Sequence, residues 1–96
     1  MLLEVNYKKN DVISIKLTSG EEVIGRFSDE TETHITIEKP MSLQMGPQGV
    51  GISQFMFTME LDSTVTLDKS HCMVIGKTVK PMADQYIQGT TGISMG

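Results

Sequence analysis

Apolar and polar residues alternate along the first part of the chain, and this period of two predicts short β-strands with one buried face. Ile13, Ile15 and Leu17 alternate with polar residues in the first of these strands. The polar run from Thr18 to Glu21 follows, and its Gly20 can adopt the positive φ that a tight hairpin requires. The pattern therefore predicts an antiparallel hairpin.

Two further strands are predicted after this turn, from Val23 to Ser28 and from His34 to Lys39. Gly25 lies in the middle of the second strand, where it indicates either a sharp bend of the sheet or a plain β-bulge. The acidic loop from Asp29 to Thr33 connects the two strands. Pro40 is expected to end the third strand because it has no backbone N–H to donate.

The next segment, Lys39 to Val50, contains two prolines and two glycines without sustained periodicity, and it is interpreted as a loop. Alternation resumes at Gly51 and predicts a long fourth strand that carries much of the core. The buried face of that strand would be formed by Phe55, Phe57, Met59 and Leu61.

The extended pattern of Val65 and Leu67 is interrupted by Asp68 to Ser70, which is interpreted as a tight turn. A fifth strand is expected from His71 to about Val79, since its apolar run is too short for a helix and rich in strand formers.

Pro81 is placed to begin a short helix over Met82 to Gln88, because proline is tolerated in a first helical turn. The remaining residues, Gly89 to Gly96, are expected to fray. The chain is thus divided into a β-domain, residues 1–80, and a C-terminal tail, residues 81–96.

The composition describes one small, mildly acidic domain of 96 residues with a net charge of −4 and no tryptophan. Its core must come mainly from aliphatic residues and its eight methionines. The single cysteine, Cys72, excludes an internal disulfide and favours a reducing cytoplasm. No apolar run reaches membrane-spanning length, and Met1 to Glu4 is too short and acidic for a signal sequence, so no membrane partner is expected.

Catalytic and metal-binding chemistry finds little support in the sequence. His71 adjoins Cys72, but neighbouring residues of a strand point to opposite faces and cannot act together. The Cys and His spacings of metal sites are absent, and the glycine-rich stretch from Gly46 to Gly51 lacks the Lys-Ser/Thr ending of a phosphate-binding loop. We therefore expect no enzyme, no cofactor and no metal.

Two runs carry a resemblance to a known family: L-T-S-G-E-E-V-I-G-R-F, which starts at Leu17, and D-E-T-E-T-H-I-T-I, which starts at Asp29. Together they are similar to the first motif of the Sm-like family, which includes the Sm and Lsm proteins and bacterial Hfq. The resemblance covers about the first half of the chain, and small Sm-like proteins of marine tailed phages are the most similar members. The family's second motif would fall on Leu67 to Cys72, where only the apolar frame is kept. A competing placement on Val74 to Val79 leaves no fifth strand after it.

The resemblance implies an all-β fold: a small five-stranded, strongly bent antiparallel Sm-like (SH3-like) barrel, with a short C-terminal helix. It also implies a homo-oligomeric ring of about five to seven subunits, in which each subunit pairs an edge strand with an edge strand of its neighbour. If the gene is carried by a phage, the protein would act in the cytoplasm of the bacterial host.

The resemblance further indicates where RNA would bind. The family's Asp, base-stacking residue and Asn would correspond to Asp29, Thr33 and His34, although Thr33 has no ring on which a base could stack. The Arg-Gly of the second motif becomes Asp68 and Lys69. An anion therefore replaces the usual cation, and the acidic loops would repel phosphate unless Lys69 offsets them.

Two functions follow as expectations. The first is an RNA-binding ring that holds single-stranded RNA without catalysis, with His34 and Lys69 as its contacts. The second is a ring-shaped adaptor that binds protein and has lost the nucleotide pocket. The identity of Asp68 distinguishes them, because an exposed anion at this position favours the adaptor.

Overall fold

The computed structural model describes residues 7–95, with side chains as far as residue 91. The segment from Met1 to Glu4, considered above as a signal sequence, and the terminal Gly96 lie outside the described residues. The elements in chain order are β1 (Val12–Leu17), β2 (Glu22–Glu30), β3 (His34–Gly46), β4 (Gly49–Gln54), β5 (Thr64–Asp68), the 3₁₀ turn η1 (Lys69–His71), β6 (Cys72–Lys77) and α1 (Lys80–Met95).

The first hairpin forms where the alternation predicts it. β1 pairs antiparallel with β2, and Ile13, Ile15 and Leu17 turn their side chains into the core. Gly20 has a φ of 100°, and its N–H donates to the carbonyl of Leu17 at 2.9 Å. A residue without Cβ is needed there, because side chains disfavour this region of backbone space.

Gly25 lies at a β-bulge, one of the two interpretations left open by the sequence. The register between β2 and β3 shifts between Ile24 and Arg26. A Cβ at position 25 would lie 2.9 Å from Cδ1 of Ile37 and 3.2 Å from the carbonyl oxygen of Glu38. The strands therefore approach each other more closely than any side chain at this position would allow.

Pro40 does not end the third strand, and the prediction of a loop from Lys39 to Val50 is wrong. β3 continues to Gly46 and pairs with β5 through His34–Glu38 and with β4 through Met41–Gly46. Pro40 lies in the gap between these two ladders, opposite the bulge in β2, so no ladder requires its missing N–H. The segment interpreted as a loop is a β-hairpin with a tight turn at residues 47 and 48.

The predicted long strand through Phe55 to Leu61 is also wrong. β4 ends at Gln54, and irregular structure with turns follows as far as Ser63. Phe55 packs at the margin of the core, whereas 81% of the surface of Phe57 is exposed. The alternation does not report a strand here, because Phe55 and Leu61 reach two different apolar clusters from an irregular segment.

The end of the sheet agrees with the prediction in outline. The interruption at Asp68 to Ser70 is confirmed as a tight connection, since η1 joins β5 directly to β6. Within residues 7–95 the sheet has six strands instead of five, in the order β4-β3-β2-β1-β6, with β5 paired to β3 outside this path. The described part of the molecule is thus mainly antiparallel β-structure with one C-terminal helix, and its strands do not form a closed, fully hydrogen-bonded sheet.

Two apolar clusters fill the domain. The first is aliphatic and lies between the bent strands; its buried members are Ile13, Ile15, Leu17, Val23, Ile35 and Ile37. The second lies between the sheet and α1, and its buried members are Val12, Ile24, Met41 and Tyr86. The core is thus mainly aliphatic, as the composition indicates, and the phenylalanines of the predicted fourth strand are not among its buried members.

The helix α1 is longer than predicted, and the expected fraying from Gly89 does not occur. Pro81 lies in its first turn, as proposed from the sequence. Tyr86 and Thr90 are buried against the sheet, and Oγ1 of Thr90 donates to the carbonyl of Tyr86 at 2.9 Å. Tertiary packing thus offsets the low helix propensity of Gly89.

Candidate functional site

The two sequence segments in which the resemblance predicts site residues lie side by side. His34 at the start of β3 is directly opposite Asp68 at the end of β5. The backbone N–H of Lys69 donates to the carbonyl oxygen of Thr33 at 2.8 Å. Residues more than thirty positions apart in the sequence therefore form one end of the β3–β5 ladder, which we call the His34–Asp68 end.

The turn before β3 is fixed by Thr31. Its Oγ1 accepts hydrogen bonds from the backbone N–H of Thr33 at 3.3 Å and of His34 at 3.1 Å. Oγ1 of Thr33 is 2.8 Å from Nδ1 of His34, and the tautomer of the imidazole decides which of the two donates. These bonds hold an exposed imidazole in a defined orientation at the end of the sheet.

Asp68 is an exposed anion that also begins η1. Its carboxylate accepts a hydrogen bond from the backbone N–H of Ser70 at 2.9 Å, as an N-cap does. The hydrogen bonds from the backbone and side chain of Ser70 lower the pKa of Asp68, and the nearby His34 and His71 act in the same direction. The carboxylate therefore keeps its negative charge near neutral pH.

Lys69 does not offer a free ammonium group. Its Nζ lies 2.6 Å from Oε2 of Glu30, and the hydroxyl of Tyr7 donates to Oε1 of the same carboxylate at 2.9 Å. The ring of Tyr7 packs edge-on against Phe27 with centroids 4.9 Å apart. Burial, followed by the contact with Glu30, raises the pKa of Tyr7 to about 12. Lys69, Glu30 and Tyr7 thus form a polar network at the edge of the core, in which the ammonium of Lys69 neutralises the carboxylate of Glu30.

Asp29 lies apart from the other four predicted site residues, because it belongs to the β2–β3 ladder and they lie at the end of the β3–β5 ladder. It is exposed and directly opposite Thr36, whose Oγ1 is 2.9 Å from Oγ1 of Thr66. The strand pairing therefore brings four predicted site residues together: Thr33, His34, Asp68 and Lys69. Asp29 lies instead beside Thr36 and Thr66.

Three other basic residues contact polar groups of their own. Arg26 donates to the carbonyl of Asn10 at 3.1 Å, and Lys77 lies 3.8 Å from the carboxylate of Asp11. Nζ of Lys80 is 2.8 Å from the carboxylate of Asp84. None of these three contacts places a cation beside His34.

Sequence reasoning missed Tyr7 and Thr31. Tyr7 lies outside both runs that carry the resemblance, and its contact with Glu30 spans 23 positions, so local patterns carry no signal for it. Thr31 lies within the second run, but the resemblance assigns it no role. Thr31 was detectable in principle, because threonine hydroxyls in turns often accept bonds from the backbone two or three residues later.

Cys72 lies close to this end of the sheet but is partly buried. Its Sγ donates a weak hydrogen bond to the carbonyl of Asp68 at 3.5 Å, and burial, with help from the carboxylate of Asp68, raises the pKa of the thiol. A raised pKa keeps the sulfur in its protonated form, which is the less nucleophilic one. In the described part of the chain, no group of three or more His, Cys, Asp or Glu side chains is placed to hold a metal ion.

Comparison with known proteins identified no family: no protein-family model matches the chain, and no curated protein matches it in sequence. The helix in residues 7–95 lacks the length and hydrophobicity that crossing a membrane requires.

Proposed function

We propose that the protein is a ring-forming Sm-like protein that binds single-stranded RNA without catalysing a reaction. The observation that carries this proposal is the meeting of Thr33 and His34 with Asp68 and Lys69 at one end of the sheet. These are the positions at which the resemblance places RNA contacts, and they come from two distant segments. In this proposal His34 is the polar contact to a base, and the ring acts in the cytoplasm of a bacterial host.

We propose in addition that the bent sheet is the five-stranded Sm-like barrel, with β4 as an extension of its third strand. Support comes from the aliphatic cluster, because side chains from β1, β2, β3, β5 and β6 all contribute to it. The short η1 connection keeps β5 and β6 next to each other at one end. A single core surrounded by these strands is the arrangement that an SH3-like barrel requires.

The proposed ring forms through the edge strands β5 and β6. In the described structure β5 pairs only with β3 and β6 only with β1, so each has an edge free for another chain. Met73 and Val74 are neighbours in β6 and therefore point to opposite faces, yet both are more than 60% exposed. An edge strand that is apolar on both faces favours pairing with a second copy.

A second function, a ring-shaped adaptor for a protein partner, is favoured by the charges of the His34–Asp68 end. Asp68 is exposed and negative, while the ammonium of Lys69 is neutralised by Glu30. Among the four residues that meet at this end, none therefore supplies the free cation that the family places beside the nucleotide, and phosphate would meet the carboxylate of Asp68.

A fluorescence-anisotropy titration of the protein against short uridine-rich and adenine-rich RNAs, at low and moderate salt, separates the two functions. The RNA proposal expects saturable binding that prefers one sequence and persists at moderate salt. Binding that is absent, or that moderate salt abolishes, would support the adaptor, because nonspecific phosphate contacts weaken steeply with salt.

The variant Asp68→Arg tests whether RNA contacts this end of the sheet. We expect it to bind the preferred RNA about tenfold more tightly, because each subunit then exchanges an anion for a cation near phosphate. Glu22→Arg is the matched control, since it makes the same charge change at an exposed position at the opposite end of β2, away from His34 and from the edge strands β5 and β6. Asp68→Asn separates charge from capping, because its amide oxygen can still accept the bond from Ser70. Equal affinities for Asp68→Arg and Glu22→Arg would exclude the His34–Asp68 end as the RNA site.

A further inference from the structure

The segment between β4 and β5 is an ordered loop. Nε2 of Gln54 donates to the carbonyl of Met59 at 3.3 Å, and the backbone N–H of Met59 donates to the carbonyl of Met56 at 3.4 Å. Phe55 packs against the aliphatic cluster and Leu61 against the cluster below α1. Two inward anchors and a hydrogen-bonded turn therefore determine which side chains the loop exposes.

Three of the side chains that this loop exposes are apolar. Phe57 is 81% exposed, and Met56 and Met59 beside it are 43% and 38% exposed. We call these three residues the Phe57 patch. Its rim is acidic, because Glu60 and Asp62 follow it in the same loop and are exposed. Apolar patches with a polar rim on small domains mark interaction sites.

A complementary surface lies at the far end of β6. Val79, just after this strand, is 66% exposed. Two basic residues flank it: Lys77 is 55% exposed and lies 3.8 Å from the carboxylate of Asp11, and Lys80 is 83% exposed and lies 2.8 Å from the carboxylate of Asp84. Ion pairs at the surface are weak, so a carboxylate of another chain can compete for either lysine. One chain thus carries an apolar patch with an acidic rim at the start of β5 and an apolar residue between two lysines at the end of β6.

Strand geometry brings these two surfaces together between copies. If β6 of a second copy extends the sheet antiparallel to β5, the start of β5 faces the end of that β6. The loop that precedes Thr64 then lies next to the residues that follow Lys77 of the partner subunit. Charge complementarity favours the same alignment, because Glu60 and Asp62 come to face a basic segment.

We propose that the Phe57 patch is the anchor of the interface between subunits, with Phe57 packed against Val79 of the partner subunit. Glu60 and Asp62 contact the lysines on either side of that residue. This proposal rests on the proposed ring and specifies which residues hold it together. A large aromatic side chain surrounded by polar residues is the usual form of an interface hot spot.

The variant Phe57→Ser tests the anchor, with Met45→Ser as its control. Met45 is 80% exposed at the tip of the β3–β4 hairpin and loses a comparable apolar surface when replaced. Native mass spectrometry over a dilution series measures the concentration at which half of the assembly dissociates. We expect Phe57→Ser to raise this midpoint at least about tenfold and Met45→Ser to leave it within about twofold. Circular dichroism checks that both variants stay folded.

Disulfide trapping provides a direct test of the contact. In a Cys72→Ala background, the double variant Phe57→Cys with Val79→Cys should form a ladder of covalent oligomers under mild oxidation. The control pair Met45→Cys with Val79→Cys should remain largely uncrosslinked, as should each single variant.

The outcomes separate this proposal from the proposed function. If the wild-type protein is monomeric at every concentration tested, both the ring and the Phe57 anchor are wrong. If the wild type assembles but Phe57→Ser dissociates at the same concentration and no ladder forms, the ring stands and only the anchor is overturned.

Discussion

At the scale of single residues, tertiary neighbours decide the role of side chains that look alike in sequence. Gly20 and Gly25 both lie in the first hairpin, but Gly20 has a φ of 100° and open space around it, whereas Gly25 is enclosed by Ile37 and Glu38. The first glycine provides a backbone conformation, and the second allows two strands to approach closely.

The variant Gly25→Ala should lower the free energy of unfolding by about 1–3 kcal/mol, because the new methyl group would overlap the side chain of Ile37. Urea denaturation at a fixed protein concentration measures this change. Gly76→Ala in β6 is the control, since no atom lies within 4 Å of the added methyl group. If both variants were equally stable, the close approach at Gly25 would not constrain the fold.

The predicted site residues show in the same way that tertiary neighbours decide the role of a side chain. Thr33, His34 and Asp68 were found from the motif, and the register places them together. The role of Lys69 was not predictable, because its partner Glu30 lies on another strand and looks like one more acid of a solvated loop. The charge available to a ligand depends on such pairs, which only the folded chain reveals.

At the scale of elements, β3 and α1 depend on each other. β3 changes its partner from β5 to β4 at Lys39, a residue other than glycine with a φ of 51°. The hydroxyl of Tyr86 in α1 lies 3.1 Å from the carbonyl oxygen of Glu38 and 2.7 Å from that of Lys39. The helix therefore supplies one hydroxyl hydrogen, shared between two carbonyls, at the point where the strand departs from regular geometry.

The variant Tyr86→Phe should be less stable than the wild type by about 1–2 kcal/mol near neutral pH, because the carbonyls of Glu38 and Lys39 lose the hydroxyl donor that they share. Burial raises the pKa of Tyr86 from 10.0 to about 12. The folded state thus keeps this proton at pH values at which the unfolded state has lost it. The stabilising contribution is complete below the unfolded pKa and falls as pH rises through the folded one.

We therefore expect the stability difference between wild type and Tyr86→Phe to shrink as pH rises from 10 to about 12. Urea titrations at several pH values measure it, and Tyr7→Phe shows how much of the trend comes from the other tyrosine. A difference that stays constant across this range would mean that the hydroxyl of Tyr86 keeps its proton equally well in the unfolded chain.

At the scale of the whole molecule, two separate apolar clusters, on different parts of the sheet, stabilise the fold. The strands enclose one cluster by themselves, but the second requires α1 to cover Val12, Ile24 and Met41. A domain of this size has little apolar surface to spare, so an uncovered cluster would be costly.

A chain that ends at Val79 should therefore lose at least about 3 kcal/mol of stability, the cost of removing a large buried aromatic residue, and should bind the hydrophobic dye ANS. A chain that ends at Thr91 is the control, because it keeps Tyr86 and Thr90. If the shorter chain unfolded as cooperatively as the control and bound no dye, the second cluster would be dispensable.

The sequence by itself determined the features that depend on neighbouring residues. These are the β1–β2 hairpin with its turn at Gly20, the tight connection at Asp68 to Ser70, and Pro81 in the first turn of a helix. Side-chain alternation, glycine φ preferences and the missing N–H of proline act within a few residues, so they can be read from a linear pattern.

Only the tertiary structure decided the continuation of β3 past Pro40, the outward position of Phe57 and the pairing of Lys69 with Glu30. Each depends on a contact outside the local sequence pattern. β3 continues because β4 pairs with it beyond Pro40, and Phe57 faces outward because Phe55 and Leu61 pack into two separate clusters. Lys69 is neutralised by a carboxylate on β2. The local pattern of Phe55 to Leu61 is compatible with a core strand and with a loop. Long-range packing selects between them, because burial depends on which elements lie above the segment and not on the order of its residues.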